Sequence, residues 1–198
     1  MLMTSEHSCN ILEVTTYYLE QTQQPERQYL LPEGCSIHRL TSKDIQVAQF
    51  FFKAVGGIWL WDSRLHWDYQ DWKEHLEQAS VHIFVANKNG VPIGFFELNE
   101  TEGIELKFFG LLPEYVGQGL GSWLLEEACE MAWSFNPERV WVHTCSEDHP
   151  FALQNYKQRG FQLYHQETET ESSPLEEDSI WLTPKFTFSV FERFRSSD

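Results

Sequence analysis

Three glycines at alternate positions, Gly117, Gly119 and Gly121, are the residues of this chain whose spacing most directly suggests chemistry. They follow an apolar run that ends at Leu112-Pro113, and they precede a segment with helical periodicity. Glycines let the backbone turn sharply, and the exposed N–H groups at a helix start attract anions. The pattern predicts either a turn that binds a phosphate or pyrophosphate, or a turn whose glycines serve close packing alone.

Two common phosphate-binding motifs are excluded by the residues around these glycines. The dinucleotide fingerprint requires G-x-G-x-x-G directly after a strand, and the P-loop requires Gly-Lys followed by Ser or Thr. The chain has neither pattern at this turn. An unrelated nucleotide-binding α/β protein stays open as a competing interpretation.

Composition limits the classes of protein and partner. The 198 residues suffice for one domain, and 41% hydrophobic with 15% aromatic residues indicates a globular chain. A formal charge of -16 argues against binding to nucleic acid or to an anionic membrane. It favours a cationic acceptor such as an amine, although acidic residues also keep proteins soluble.

The cysteines predict a reducing compartment and no metal site. Cys9, Cys35, Cys129 and Cys145 form no C-x-x-C pair and do not lie at zinc-ligand spacing from a histidine pair. We expect all four to be reduced, with Cys129 buried in a helix. The start of the chain does not resemble a signal peptide, and no segment has the length of a membrane span, so we expect a cytoplasmic protein.

Periodicity predicts the element order βααβββαβαββ. This order indicates an α/β fold with an α+β mixed sheet, in which an antiparallel meander is followed by β-α-β. Helices are expected on both faces of the sheet. We expect a loose tail over 1–12, one domain over 13–183 and a C-terminal tail over 184–198. An acidic loop is predicted at Glu167–Asp178. The predicted strands are Ser36–Leu40, Val81–Ala86, Val91–Leu98, Ile104–Leu112, Arg139–Cys145, Phe161–Gln166 and Ile180–Thr183, with a further short strand at Val14–Leu19. The predicted helices start at Thr41 or Ser42, at Tyr69, at the glycine turn, and at Asp148 or His149.

Two segments resemble motifs of the GNAT superfamily of N-acetyltransferases. Gly110-Leu111-Leu112-Pro113 and the frame from Val116 to Gly121 resemble motif A, although Val116 replaces the usual Gln or Arg. The segment from His149 to Phe161 is similar to motif B, with His149 in place of an Asn. The matching motif B positions are Ala152, Tyr156, Gly160 and Phe161. The resemblance covers roughly Ser36 to Thr183 and implies a GNAT-like acyl-CoA N-acyltransferase fold.

The resemblance also implies acetyl-CoA as co-substrate, without a metal. Its pyrophosphate would lie on the glycine turn, and its pantetheine arm would pair with the strand before the turn, where Gly110 would suit a bulge. His149 would contact the cofactor where the family has Asn. The implied cofactor-binding residues are Phe109, Gly110, Leu111, Leu112, Gly117, Gln118, Gly119, Leu120, Gly121, Ser122 and His149.

Two residues are candidates for proton transfer. Some family members place a catalytic Glu at the position of Glu105, and an alternative is that Glu105 pairs with Lys107 on the same strand. Glu97 is the fallback base, and ordered water could replace a single base. Tyr156 matches the family's Tyr in motif B, whose phenol donates to the departing thiolate.

These residues predict a cytoplasmic N-acetyltransferase that moves acetyl from acetyl-CoA to a primary amine by direct attack. The alternative is a CoA-binding sensor or adaptor without catalysis. Three tryptophans, Trp59, Trp61 and Trp67, could hold an amine with Asp62 or Asp68, but we expect at least two of them in the core. The acceptor is a small molecule or a protein, and the apolar tail after Pro184 leaves a homodimer open.

Overall fold

A computed structural model of the chain describes residues 9–59 and 61–174. Residues 1–8, the predicted strand Ile180–Thr183 and the predicted tail 184–198 lie outside the described residues. No described helix is both long and apolar enough to cross a membrane. The described elements are β1 Cys9–Gln21, β2 Cys35–Arg39, α1 Ile45–Gly56, α2 Tyr69–Glu77, β3 Val81–Lys88, β4 Val91–Thr101, β5 Gly103–Leu111, α3 Leu120–Trp133, β6 Val140–Cys145, α4 Ala152–Gln158 and β7 Gln162–Pro174.

The strands form one mixed sheet in the order β2-β3-β4-β5-β6-β1-β7. β3, β4 and β5 make the predicted antiparallel meander, with a turn at Asn89-Gly90 where both residues have positive φ. β5 and β6 are parallel neighbours, as expected for strands joined by a helix. The predicted fold class is therefore confirmed.

The N-terminal strand is longer than its prediction. β1 begins at Cys9, within the predicted tail, and lies between β6 and β7, with Tyr18 opposite both His143 and His165. Its alternate residues Leu19 and Gln21 are buried, as the period of a strand requires.

The acidic loop predicted at Glu167–Asp178 is wrong as far as Pro174, because β7 continues through it. β7 pairs with β1, and the hydroxyl groups of Thr15 and Thr168 form a hydrogen bond of 2.9 Å between the two strands. β7 is the edge strand of the sheet, and its residues from Gln162 to Thr170 are all exposed, so the acidic side chains stay solvated while the backbone pairs with β1 alone. Acidic composition indicated exposure correctly but not the backbone conformation.

Two apolar layers cover opposite faces of the sheet, which confirms helices on both sides. The α3 core joins α3 to one face, and the α1–α2 core joins the first two helices to the other. Fully buried residues of the α3 core include Phe96, Leu98, Leu124 and Leu125. Those of the α1–α2 core include Phe51, Phe52, Trp72, Ile83 and Phe95.

The cap of α1 corrects one prediction, and the cap of α2 uses a residue that was considered for the acceptor site. The cap position of α1 is Asp44 rather than Thr41 or Ser42, and the Asp44 carboxylate accepts hydrogen bonds from Thr41. Asp68 forms a capping box with Asp71 at the start of α2. The Asp68 carboxylate is therefore occupied within its own helix.

A buried ion pair fixes the aromatic link between α1 and α2 to the sheet. Arg64 donates to both carboxylate oxygens of Glu97 at 2.6 Å, and His75 Nε2 lies 3.0 Å from Glu97 Oε1. The Arg64 guanidinium carbon lies 4.5 Å from the ring centre of Trp67 and 4.6 Å from that of Phe108. Burial raises the pKa of Glu97, but the hydrogen bonds from His75 and Arg64 outweigh it and hold the pKa below its ordinary value.

We expect Arg64→Leu to lower the free energy of unfolding by about 3–5 kcal/mol, because it leaves the Glu97 carboxylate buried without its counter-charge. The midpoint of thermal unfolding should fall by roughly 6–20 °C. Arg139→Leu is the control, since Arg139 pairs with Glu20 and Glu102 at the surface and should change stability by no more than about 1 kcal/mol. Equal effects of the two variants would contradict a dominant buried pair.

The same pair predicts a pH dependence. Because the pKa of Glu97 is lower in the folded chain than in the unfolded one, its stabilising contribution is complete above the unfolded value of about 4.3. It is lost as pH falls through the folded pKa. The difference in unfolding free energy between the wild type and Glu97→Gln, measured in urea, should therefore be largest near neutral pH and shrink as pH falls below the unfolded value of about 4.3. A pH-independent difference would be evidence against an ionised Glu97.

Candidate functional site

A gap opens between β5 and β6 directly after the two residue pairs that join them, and we call this paired end the base of the gap. The two strands pair at Ile104 with Val140 and at Glu105 with Trp141. β5 then continues to Leu111 on β4 alone, while β6 continues to Cys145 on β1. The β5 edge that faces the gap can accept an extended ligand by backbone pairing, in the way that sheets accept an added strand.

The bulge of β5 is not at Gly110, so that prediction is wrong. The register shifts where Glu97 pairs with Phe108 and Leu98 with Leu106, which leaves Lys107 as the extra residue. Gly110 pairs regularly with Phe95. A side chain at Gly110 would place its β-carbon 2.4 Å from Val55 Cγ1, so this glycine is required for the close approach of α1.

The glycine turn leads from β5 into α3. Gly117 and Gly119 have φ of +79° and +77°, and Gly119 is the left-handed cap residue of α3. A β-carbon at either position would meet nothing within 4 Å. These two glycines are therefore required by backbone conformation, and the space outside the turn is open. Gln118 folds back, with its side chain donating to the Glu114 carbonyl at 2.7 Å.

The start of α3 has the properties of an anion site. The helix is 14 residues long, no side chain caps its first turn, and its first turn carries no acidic residue. Its first N–H groups and its dipole therefore favour a negative charge. A β-carbon added to Gly121 would lie 3.8 Å from Leu111 Cδ1, so the start of the helix packs directly on the end of β5. Phosphate groups of a ligand on this turn would lie next to the open edge.

Tyr156 lies on α4 and points into the α3 core. Its ring centre is 6.3 Å from that of Phe109 on β5 and 5.8 Å from that of Phe161. Burial raises the pKa of the phenol, and the charge of Asp148 raises it further. The phenol therefore stays protonated and can donate a hydrogen bond beside one of the predicted cofactor positions.

Glu105 lies at the base of the gap, between the side chains of Lys107 and His143. Its Oε1 is 3.2 Å from Lys107 Nζ and 3.3 Å from His143 Nδ1, and the residue is 4% exposed. Burial raises the pKa of Glu105, but the contacts with His143 and Lys107 outweigh it and keep the pKa below its ordinary value. The predicted pairing with Lys107 is confirmed. The carboxylate stays ionised, and its low basicity makes it a weak proton acceptor.

The fallback base Glu97 is fully enclosed. It is 0% exposed and both of its oxygens accept from Arg64. A substrate amine cannot reach it in this structure. Asn99, two residues after Glu97 on the same face of β4, pairs with Glu105 on β5. Glu97 and Glu105 are therefore carboxylates on adjacent strands, and they differ in their access to the gap.

His149 lies just before α4 rather than at its cap. α4 begins at Ala152 after Phe151, so the predicted cap at Asp148 or His149 is wrong. Asp148 instead accepts from the Thr144 hydroxyl and the Cys145 N–H, which closes the end of β6. His149 Nδ1 accepts from the Phe151 N–H at 3.1 Å. Burial lowers the pKa of His149 although the charge of Asp148 opposes it, which favours the neutral ring.

The aromatic link is mainly structural, as expected. Trp61 packs on Phe52 and Phe108 with ring centres 6.0 and 4.9 Å away, and Trp67 packs on Trp72 at 5.1 Å. Trp59 differs, because its ring lies 5.4 Å from that of His149 at the start of α4.

The structure divides the predicted site residues between the two faces of β5. Ile104 and Leu106 belong to the α3 core, so Glu105 between them points to the opposite face. Phe109 returns to the α3 core and meets Tyr156. Groups on the two faces can therefore act on one substrate only where the gap between β5 and β6 opens.

Sequence reasoning missed the position of His143 beside Glu105. The signal was the alternation of β6, in which Val140, Val142 and Thr144 are buried and His143 faces the other way. That alternation could not show which residue of β5 lies opposite, because register between strands joined by a helix is set in three dimensions.

Solved structures share the fold of this chain. An aminoglycoside acetyltransferase from an uncultured soil metagenomic sample, solved with trehalose, aligns with a TM-score of 0.58 at 17% identity over 69% of this chain and 96% of its own. A GCN5-related N-acetyltransferase from Sphaerobacter thermophilus aligns with a TM-score of 0.59 at 18% identity, over 84% of this chain and 54% of its own. The ribosomal-protein-S18-alanine N-acetyltransferase from Escherichia coli aligns with a TM-score of 0.53 at 18% identity, over 66% of this chain and 79% of its own.

These identities are low enough that the structural matches establish the fold alone. A search of curated protein sequences found no match. The sequence model of the acetyltransferase (GNAT) family matches residues 43–161, more than half of the chain, and this span contains the gap, the glycine turn and Tyr156. The resemblance seen in the two motifs is confirmed, and the chain belongs to the GNAT acetyltransferase family.

Proposed function

We propose that this protein is a cytoplasmic N-acetyltransferase that moves acetyl from acetyl-CoA to a primary amine by direct attack. The observation that carries the proposal is the continuity of an open strand edge, a positive-φ glycine turn and an uncapped helix start along β5 and α3. Acetyl-CoA has an amide-rich arm followed by a pyrophosphate, which matches these two kinds of site in the same order. Free thiols at Cys35, Cys129 and Cys145 agree with a reducing compartment.

The residues present fit this co-substrate. Backbone groups of Phe109, Gly110, Leu111 and Leu112 would pair with the arm along the open edge. The turn and the first helical residues, Gly117, Gln118, Gly119, Leu120, Gly121 and Ser122, would hold the pyrophosphate through N–H groups. His149, kept neutral, would add a contact from the start of α4. The replacement of the family's Gln or Arg by Val116 costs a side-chain contact but leaves the backbone donors in place.

The chemistry requires two proton transfers and no covalent enzyme intermediate. An ammonium must first lose a proton, because only the free amine has a lone pair to attack the thioester carbon. The new N–C bond forms as the C–S bond breaks, and the departing sulfur needs a proton or hydrogen bond. Tyr156, a buried phenol beside Phe109, is the proposed donor to that sulfur. The proton of the amine would be removed near Glu105, at the base of the gap.

The acceptor belongs to a class rather than to one compound. The net charge of -16 favours a cationic acceptor through long-range attraction. Two structural neighbours are described as acetylating an aminoglycoside and a ribosomal-protein alanine, so this fold serves both small molecules and proteins. Both remain candidates for this chain.

We expect acetyl-CoA at a hundred times its dissociation constant to stabilise the protein by about 2.7 kcal/mol, a rise in unfolding midpoint of roughly 5–10 °C, with NAD and ATP as controls. Gly119→Glu should abolish the rise, because it places a carboxylate at the proposed anion site. Gly90→Glu is the matched control: Gly90 also has positive φ, +80°, and open space around it, but lies in the β3–β4 turn. A rise that persists in Gly119→Glu would refute the turn as the binding site.

We expect Tyr156→Phe to lower kcat by about 10²-fold with little change in acetyl-CoA affinity, since it removes a proton donor and keeps the packed ring. Steady-state release of free thiol over a panel of amines measures this. Tyr69→Phe is the control, because Tyr69 is 61% exposed at the start of α2. Wild-type protein that binds acetyl-CoA yet releases no thiol with any amine would favour the CoA-binding sensor or adaptor instead.

A further inference from the structure

We propose that His143 is the general base that takes the proton from the acceptor amine, and that Glu105 acts through it as a positioning residue. This assignment rests on the proposed acetyl transfer and specifies how its first proton is removed. It changes the role that sequence reasoning gave to Glu105.

The geometry is that of a carboxylate–imidazole pair at the base of the gap. His143 Nδ1 lies 3.3 Å from Glu105 Oε1, and Glu105 is anchored on its other side by Lys107 Nζ at 3.2 Å. With a carboxylate facing Nδ1, Nε2 is the ring nitrogen that is available to take a proton from the amine. The carboxylate also stabilises the imidazolium that forms when Nε2 accepts a proton.

Access distinguishes the two members of the pair. The Glu105 side chain is 6% exposed, whereas that of His143 is 36% exposed. Histidine is also the side chain that exchanges protons most readily near neutral pH. Glu105 is a buried carboxylate whose pKa is held low by its contacts, so it is suited to holding charge rather than accepting a proton. An incoming amine therefore meets the imidazole first.

The position of His143 suits an amine that approaches the thioester. β6 is parallel to β5, so His143 lies two residues beyond the Glu105–Trp141 pair, level with the bulged Lys107, where the two strands have just separated. A thioester held along the open edge of β5 would lie on the other wall of that gap.

The groups that face His143 come from three strands. β5 contributes Glu105 and Lys107, and β6 contributes the ring of Trp141, centred 6.2 Å away. β1 contributes Tyr18, whose ring centre is 6.0 Å away and whose hydroxyl donates to Glu167 on β7 at 2.5 Å. Of these groups, Glu105 is the carboxylate in direct contact with the imidazole.

The protons balance in this scheme. His143 Nε2 removes one proton from the ammonium, and the free amine attacks the thioester carbon. As the C–S bond breaks, Tyr156 gives its proton to the CoA sulfur, which leaves as a thiol. The acylated nitrogen then loses its second proton to give the neutral amide, and that proton restores the Tyr156 phenol. His143 then releases its proton to solvent.

The test compares wild type, His143→Gln and Glu105→Gln in acetyl-CoA turnover from about pH 6 to pH 9, over a panel of an aminoglycoside, a polyamine and peptides with free amines. We expect His143→Gln to lower kcat by about 10²–10⁴-fold and to remove the rise of kcat with pH, while KM for the amine changes less than about threefold. The double variant should be no slower than the slower single variant, because the two residues act as a unit.

Chemical rescue and a matched control separate this role from a structural one. His143→Ala should regain activity when imidazole is added, in a saturable manner. His165→Gln is the control: His165 lies on the same side of Tyr18, with Nε2 3.9 Å from a Glu167 oxygen, but on β7 away from the gap. It should keep the activity and pH profile of the wild type. The stabilisation by acetyl-CoA should be unchanged in every variant, which shows that each one is folded and binds the co-substrate.

Three results would overturn the assignment. One is a His143→Gln variant with kcat within about twofold of wild type and an unchanged pH profile. Another is a large loss in Glu105→Gln together with a small loss in His143→Gln, which would make Glu105 or an ordered water the base. The third is a wild-type protein that binds acetyl-CoA but acetylates no amine, which would overturn the proposed function itself and this assignment with it.

Discussion

The divergence of β5 from β6 after two residue pairs is the constraint on which the rest of this structure depends. Backbone N–H and C=O groups that lose a strand partner must find water or a ligand, because burying them unpaired is costly. The gap persists because each wall has a full partner on its outer side, β4 for β5 and β1 for β6. The bulge at Lys107 adds local twist to β5, and Gly110 lets α1 approach the strand from one face.

The gap also explains why chemically active groups can be drawn from both faces of the sheet. Tyr156 belongs to the α3 core, and Glu105 points to the opposite face. A closed sheet would keep them apart. Where the strands separate, a ligand lying between them can meet a phenol from one side and the Glu105–His143 pair from the other, with the glycine turn and the start of α3 at its far end.

Two buried carboxylates on adjacent strands show how environment separates structural from chemical roles. Glu97 is bound through both oxygens by Arg64, whose guanidinium lies against the rings of Trp67 and Phe108, and this pair holds the α1–α2 link in place. Glu105 is contacted by one lysine and one histidine at the base of the gap. Both have a lowered pKa, but only Glu105 has a partner, His143, that is substantially exposed.

The sequence by itself determined the elements and the fold class, because local periodicity, glycines and turns are written in short stretches of chain. The β3–β4–β5 meander, the glycine turn and the helix that follows could all be predicted within a few residues, and so could the candidate residues of that turn. The acidic run in β7 was misjudged, because composition reports exposure and not pairing. The length of β1 was underestimated for a related reason, since its strand character depends on β6 and β7 beside it.

Only the tertiary structure decided which residues meet. Glu105 and His143 are far apart in sequence, and their 3.3 Å contact depends on the register of two strands that are joined through a helix. The partnership of Arg64 with Glu97, the bulge at Lys107 and the position of β1 depend in the same way on packing across the sheet. Local patterns fix which face of a strand a side chain occupies. The neighbour that it contacts there is fixed by the long-range pairing of the backbone.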